Sequence, residues 1–212
     1  MVFFRPTLSP ITLSPLLRLI AIAVTAHVAL GAARVTTSLY ALSLKASPFT
    51  VGTLIALFAV FPMVLAVPMG RIIDRIGIRK PLMMGSLLAS TGVVMAATVQ
   101  GLAVLYPAAM LIGTGFMAIF ISAQHAVGML SPPDQRTASY SRLSLGFSIS
   151  AFTGPLIAGF VIDHSHYSMA YLSCGVFTLA AFALAAGGAL RKLPAHAASP
   201  GQAKGSPLQL LR

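Results

Sequence analysis

The chain has 212 residues, of which 57% are hydrophobic and 8% charged, with 14 Lys and Arg against 3 Asp and Glu. A soluble domain keeps about a quarter of its residues charged to face water, so this composition argues against a soluble enzyme or binding module and for an outer solvent of lipid. The net charge of +11 would suit nucleic acid only if the basic residues gathered on one solvated face, and Cys174, the single cysteine, permits no intrachain disulfide and no cysteine-based zinc site.

Six apolar stretches approach or exceed the roughly 20 residues a helix needs to cross about 30 Å of hydrocarbon. The first runs from Leu16 to Leu44. On it His27, Gly31, Arg34, Ser38, Ala41 and Lys45 fall within about 40° of one line at 100° per residue, so this stripe does not face lipid. Arg34 lies roughly 15 Å of helix from Leu44, too deep for easy snorkelling. An intramembrane Arg faces a cavity or a partner by default, and all three acidic residues sit near helix ends or in loops. His27, Arg34 and Ser38 are therefore the candidate cavity residues, with Arg34 meeting a carboxylate from elsewhere, backbone carbonyls or an anionic substrate. The first stretch is too long for a signal-peptide core.

The second stretch, Thr50 to Met69, is followed by the charged segment Gly70 to Leu82, and the third runs from Leu82 to Val99. The fourth, Leu102 to Val127, carries Gly113-Thr114-Gly115 at its middle and Gln124-His125 at its end. That pair is read as bonding neighbouring helices. The fifth is Leu143 to Ile162 and the sixth Tyr167 to Leu190. Between them Asp163, His164 and His166 form a poor metal ligand set and read as solvated loop; no metal and no cofactor is expected. The expected division is an N-terminus at 1–15, a membrane domain at 16–190, and a Gly, Ala, Ser and Pro-rich linker at 191–212 in which Leu208 to Arg212 begins an amphipathic helix.

Lys and Arg fix the orientation, because cytoplasmic loops carry their excess. Arg5, Arg18, Arg71, Arg75, Arg79, Lys80, Arg136, Arg142, Arg191, Lys192, Lys204 and Arg212 fall on one side, and Lys45 opposite. Both termini are thus expected in the cytoplasm, and the basic balance needs no nucleic acid. An offset of 89, from 159 − 70, sets Gly70-Arg71-Ile72-Ile73-Asp74 against Gly159-Phe160-Val161-Ile162-Asp163. Spans one to three and four to six then form two inverted three-helix repeats.

The segment Gly70-Arg71-Ile72-Ile73-Asp74-Arg75-Ile76-Gly77-Ile78-Arg79-Lys80-Pro81-Leu82 resembles the signature of the major facilitator superfamily, Gly-x-Leu-Ala-Asp-Arg-x-Gly-Arg-Lys-x-x-Leu, in its family place after span two. Glycines there permit a tight reversal, and a carboxylate just past a helix end accepts N–H or guanidinium donors. The resemblance implies a cytoplasmic gating motif of Gly70, Asp74, Arg75, Gly77, Arg79 and Lys80. Ile78 departs from a position that is usually basic. On span five, Gly146, Gly154, Pro155 and Gly159 resemble the family's antiporter motif, in which small residues permit close helix contact and a proline bends the helix. Ala109 stands where a third family pattern carries an Arg before Gly-x-Gly, which leaves proton coupling without a motif.

The resemblance implies an all-α membrane protein of six transmembrane helices, half of a major facilitator fold. It also implies secondary transport by alternating access, expected as export of a small organic molecule by antiport, at the inner membrane of a bacterium. The chain would form the N-terminal half, completed by a second six-helix half or a homodimer partner. Two other readings stand beside it. One is a six-helix membrane partner that transports nothing. The other is an intramembrane enzyme, for which Ser148 and His164 lie too far apart along one helix and His125 lacks an orienting carboxylate.

Overall fold

The computed structural model describes residues 15–187. Its helices are α1 Pro15–Ser43, α2 Pro48–Ile76, α3 Arg79–Thr98, α4 Leu102–Leu130, α5 Arg136–His164 and α6 Tyr167–Ala186, with a single 3₁₀ turn at Pro133–Gln135 before α5. All six helices are long and apolar enough to cross a membrane, and no strand occurs among the described residues. The expected linker at 191–212 and all but the last residue of the expected N-terminus lie outside them.

Local chemistry sets the reversals. Ser47 caps α2 by accepting the Thr50 N–H at 3.2 Å, with Pro48 at the first helical position, where its missing N–H costs nothing. Gly77 ends α2 at φ 77° and donates its N–H to the Ile73 carbonyl at 2.9 Å. That left-handed conformation favours glycine, which explains the second glycine of the charged segment. Two elements run past their expected limits. α2 continues through Gly70 to Ile76, so Asp74 and Arg75 lie in its last turn and not in a loop beyond it. α5 starts at Arg136, well before Leu143. In both cases the apolar run stops where the helix leaves the hydrocarbon, while the helix itself goes on into the headgroup layer.

The packing follows a two-fold pattern. α1 packs on α5 and α6; α4 packs in the corresponding way on α2 and α3; α1 meets α4 and α3 meets α6. Exchanging each helix of the first triple with its counterpart in the second reproduces the set, as two inverted three-helix units require. Backbone closeness depends on small residues. A Cβ on Gly115 would collide with the Gly85 carbonyl of α3, and one on Gly113 would lie 2.5 Å from the Phe58 carbonyl of α2. Gly113-Thr114-Gly115 therefore lets α4 approach two helices at one level.

α1, α3, α4 and α6 supply most of the core, through Leu19, Ile22, Leu82, Val93, Ile119 and Tyr171 among others. Two pairs of its buried hydroxyls meet across helices, while Thr36 and Ser86 bond within their own helix and Thr114 and Ser122 have no partner. Thr37 and Tyr171 share a hydrogen bond of 2.8 Å between α1 and α6, and Ser90 donates to Thr178 at 2.8 Å between α3 and α6. α2 and α5 flank this core and add fewer residues to it, Leu54, Phe58 and Ile73 from α2 and Leu143 and Ala158 from α5. On α5, Leu145, Ile149, Phe152, Leu156 and Phe160 are exposed along one apolar face. Ser144, Ser148 and Ala151 are exposed along a second, about 100° round the helix.

Candidate functional site

The polar line of α1 runs into the crevice between α4 and α5. His27 stands between two phenylalanines, its ring centroid 5.1 Å from that of Phe116 on α4 and 4.9 Å from that of Phe147 on α5. Phe120, one turn beyond Phe116, closes the circuit at 5.9 Å from Phe116 and 5.3 Å from Phe147. All four rings are partly exposed, so together they form one aromatic patch whose outer faces stay open.

Seven residues further along α1, about 10 Å of helix, the Arg34 guanidinium carbon lies 5.8 Å from the centre of the Phe58 ring on α2. This is a cation–π contact worth about 0.5–2 kcal/mol. Arg34 Nε is buried without a hydrogen-bond partner, as is His27 Nδ1. No carboxylate comes within ion-pair distance of Arg34 among the described residues. Ser38 donates its hydroxyl to the Arg34 carbonyl at 3.0 Å, which is a local helix bond. The line does not hold its face to the end. Ala41 turns into the core with no exposed surface, so the expected six-residue stripe reduces to His27, Gly31, Arg34 and Ser38.

The antiporter-like residues of α5 form the opposite wall. A Cβ on Gly154 would lie 2.7 Å from the Val28 carbonyl of α1 and 3.0 Å from the Ala32 nitrogen, and a Cβ on Gly146 would collide with the Val24 side chain. Ser150 donates across the same seam to the Val24 carbonyl at 3.0 Å. Gly31, facing them, lies against Pro155. α5 stays helical through Pro155, and Gly159 has open space around it, so the contacts of the seam run from Gly146 to Pro155.

The charged segment divides in two. Asp74 places a negative charge in the last turn of α2, where the helix dipole disfavours it by about 0.3–1 kcal/mol. His125 of α4 answers it, with Nδ1 3.8 Å from Oδ1, although the Asp74 side chain is 67% exposed. Exposure at that level keeps the pair weak. Arg79 instead reaches across to α6 and donates Nη2–H to the Ala186 carbonyl at 2.9 Å. It thus neutralises the negative end of the α6 dipole. Gly70, Arg75 and Lys80 face outward or lie at the surface. Arg79→Ala is expected to fray the end of α6, seen as about fivefold faster amide exchange there, the equivalent of about 1 kcal/mol. Arg75→Ala leaves that exchange unchanged.

Sequence reasoning missed the aromatic wall and the Asp74–His125 pair. One signal was available: Phe58 and Phe147 are related by the same offset of 89, from 147 − 58. Each lies against a polar residue of α1, Arg34 or His27. His125 does have a carboxylate beside it, that of Asp74, contrary to the expectation, but the other candidates do not assemble. Ser148 donates to the Ser144 carbonyl of its own helix, and His164 Nδ1 lies 2.8 Å from the Phe160 carbonyl, so no serine meets a histidine there. Among the described residues no group of three His, Cys, Asp or Glu side chains gathers to hold a metal.

The family model of the Major Facilitator Superfamily matches residues 19–212. The chain belongs to the major facilitator superfamily. Solved structures of major facilitator transporters share its fold. A peptide transporter POT in complex with sulfate matches with a TM-score of 0.75 at 18% identity, covering 84% of this chain and 38% of its own. A variant of that transporter in complex with alafosfalin gives 0.73 at 20% identity, with 84% and 38% covered. A POT family transporter in complex with 5-aminolevulinic acid gives 0.72 at 16%, with 80% and 37% covered. This chain therefore spans less than two fifths of the length of those major facilitator proteins. No curated protein matches it.

Proposed function

We propose that this chain is one half of an alternating-access secondary transporter that moves a small organic solute through the crevice between α1, α2, α4 and α5. The observation that carries the reading is Arg34, a cation inside a span with a buried, unpartnered Nε and no carboxylate within reach among the described residues. Such a group is costly in lipid and marks a pathway or a binding site. The reading is transport and not catalysis, and it needs neither cofactor nor metal.

The partner is a second six-helix half or a second copy of this chain. The small exposed face of α5, with Ser144, Ser148 and Ala151, and that of α2, with Gly52, Ala56 and Ala59, support a helix bundle packing against them, because small residues let backbones approach closely. Asp74 and Arg75 at the end of α2 serve as the gate, with Gly70 and Gly77 at the surface and reversal and Lys80 beside them. Export by antiport follows from the resemblance of the α5 seam. Arg71, Arg75, Lys80, Arg136 and Arg142 all occupy one end of the bundle, which supports a cytoplasmic location for that end in a bacterial inner membrane, with both termini on that side.

The test is water access. In a Cys174→Ala background, Ser38→Cys and Phe120→Cys lie toward opposite ends of the crevice. A membrane-impermeant maleimide is expected to label the first from the side of Lys45 and the second from the side of Arg75. Failure of both thiols to react from either side would overturn the transport reading.

A further inference from the structure

We propose that the crevice takes an organic monoanion with a flat apolar body, its anionic group on Arg34 and its body among His27, Phe116, Phe120 and Phe147. The inference rests on the transport reading and names its substrate class. A guanidinium in low dielectric lacking a counter-charge is compensated most strongly by a carboxylate, phosphonate or sulfonate, which accepts two parallel N–H bonds from it. The Phe58 ring 5.8 Å away supplies part of that compensation and leaves the guanidinium edge free, because a cation–π contact uses its face.

The rest of the crevice sets the other half of the ligand. Below Arg34 the same line of α1 offers Gly31, which has no side chain and lies against Pro155, and then the four-ring wall around His27. Three of those rings have no hydrogen-bonding atom, so a sugar or an inorganic anion would lose its hydration there without return. A flat ring offset-stacks on such walls at centroid distances of about 4.5–7 Å. The separation of about 10 Å along α1 between Arg34 and His27 fits a body of one or two fused rings. A cationic ligand meets Arg34 as a like charge. A neutral ligand leaves that charge uncompensated. A multiply charged one finds no second Lys or Arg within ten residues of Arg34 along α1.

Three probes of one shape and different charge test this: naphthoate, naphthamide and naphthylmethylammonium. The readout is protection of the Ser38→Cys thiol, one turn from Arg34, against maleimide in membranes carrying the full chain with Cys174→Ala. Naphthoate is expected to protect about tenfold better than naphthamide, with no protection by the cation, because one charge-assisted bidentate pair is worth that much or more. Arg34→Gln should remove the difference, while in a chain that keeps Cys174 that buried thiol stays unreactive, which shows that the variant still folds. Phe147→Ala should weaken protection by naphthoate and leave unchanged the weaker protection expected of acetate, a fourth probe with the same charge and no ring. Equal protection by naphthoate and naphthamide, discrimination that survives Arg34→Gln, or no protection by any probe at a thiol that labels normally would each overturn the assignment and leave the transport reading standing. A thiol that never labels from water brings down both.

Discussion

Gly154→Ala is expected to lower the melting temperature by several degrees, while Gly159→Ala, the same change five residues along the same helix, leaves it unchanged or slightly raised. The added methyl at Gly154 meets the Val28 carbonyl at 2.7 Å, the Ala32 nitrogen at 3.0 Å and the Gly31 carbonyl carbon at 3.3 Å. All are backbone atoms, so no rotamer change relieves the contact, and α1 and α5 must part. Overpacking of this kind costs about 1–3 kcal/mol, and for a chain of this size each kcal/mol moves the midpoint by about 2–4 °C. Parting also lengthens the Ser150 bond to the Val24 carbonyl and lifts Phe147 from His27, so ligand protection should fall with stability. At Gly159 a Cβ meets nothing, and alanine there gains up to about 1 kcal/mol of helix propensity. Cys174, free and buried, provides the readout, since a fluorogenic maleimide reacts with it only on unfolding. Equal melting of the two variants would remove the α1–α5 seam as a determinant of the fold.

Much of this architecture was legible in the order of residues, because lipid imposes a simple rule on sequence: about 20 apolar residues per crossing and basic residues at one end. The same rule explains the errors at helix ends. Hydropathy stops reporting where a helix leaves hydrocarbon, so α2 seemed to stop at Met69 and α5 to begin at Leu143, although α2 continues to Ile76 and α5 begins at Arg136. That moved Asp74 from a loop to a helix end, where its partner became His125 of a different helix. Arg34 was legible by its depth alone, as any charge inside a span is. The ring around His27 was not, because Phe116, Phe120 and Phe147 come from two helices far apart in sequence. Phenylalanine inside a span carries no signal that separates a cavity wall from lipid contact. Only the tertiary packing distinguishes Phe147, beside His27, from Phe152, which is 68% exposed on the outer face of α5.

Arg34→Leu is expected to raise the melting temperature and at the same time abolish the preference for naphthoate over naphthamide. A buried charge without a partner is a cost to the fold: an Arg at the centre of a span is disfavoured by about 2.5–3.5 kcal/mol on insertion scales. The contact with Phe58 returns about 0.5–2 kcal/mol of this. Replacing the guanidinium with a leucine of lesser length therefore leaves a net gain of about 0.5–3 kcal/mol, or several degrees in a chain of this size. A residue retained for packing or assembly behaves in the opposite way. If Arg34 were held by a carboxylate of a partner bundle, removing it would strand that carboxylate and lower stability by about 3–5 kcal/mol. The sign of the shift thus separates a site from a strut. A rise together with lost charge discrimination is what a group kept for its ligand gives, because it is strained when empty and relieved when an anion binds. The same logic predicts that naphthoate raises the melting temperature of the unsubstituted chain and leaves that of Arg34→Leu where it was, since a ligand stabilises only the state that binds it. A fall on substitution, or an equal rise with naphthoate in both chains, would assign Arg34 to assembly.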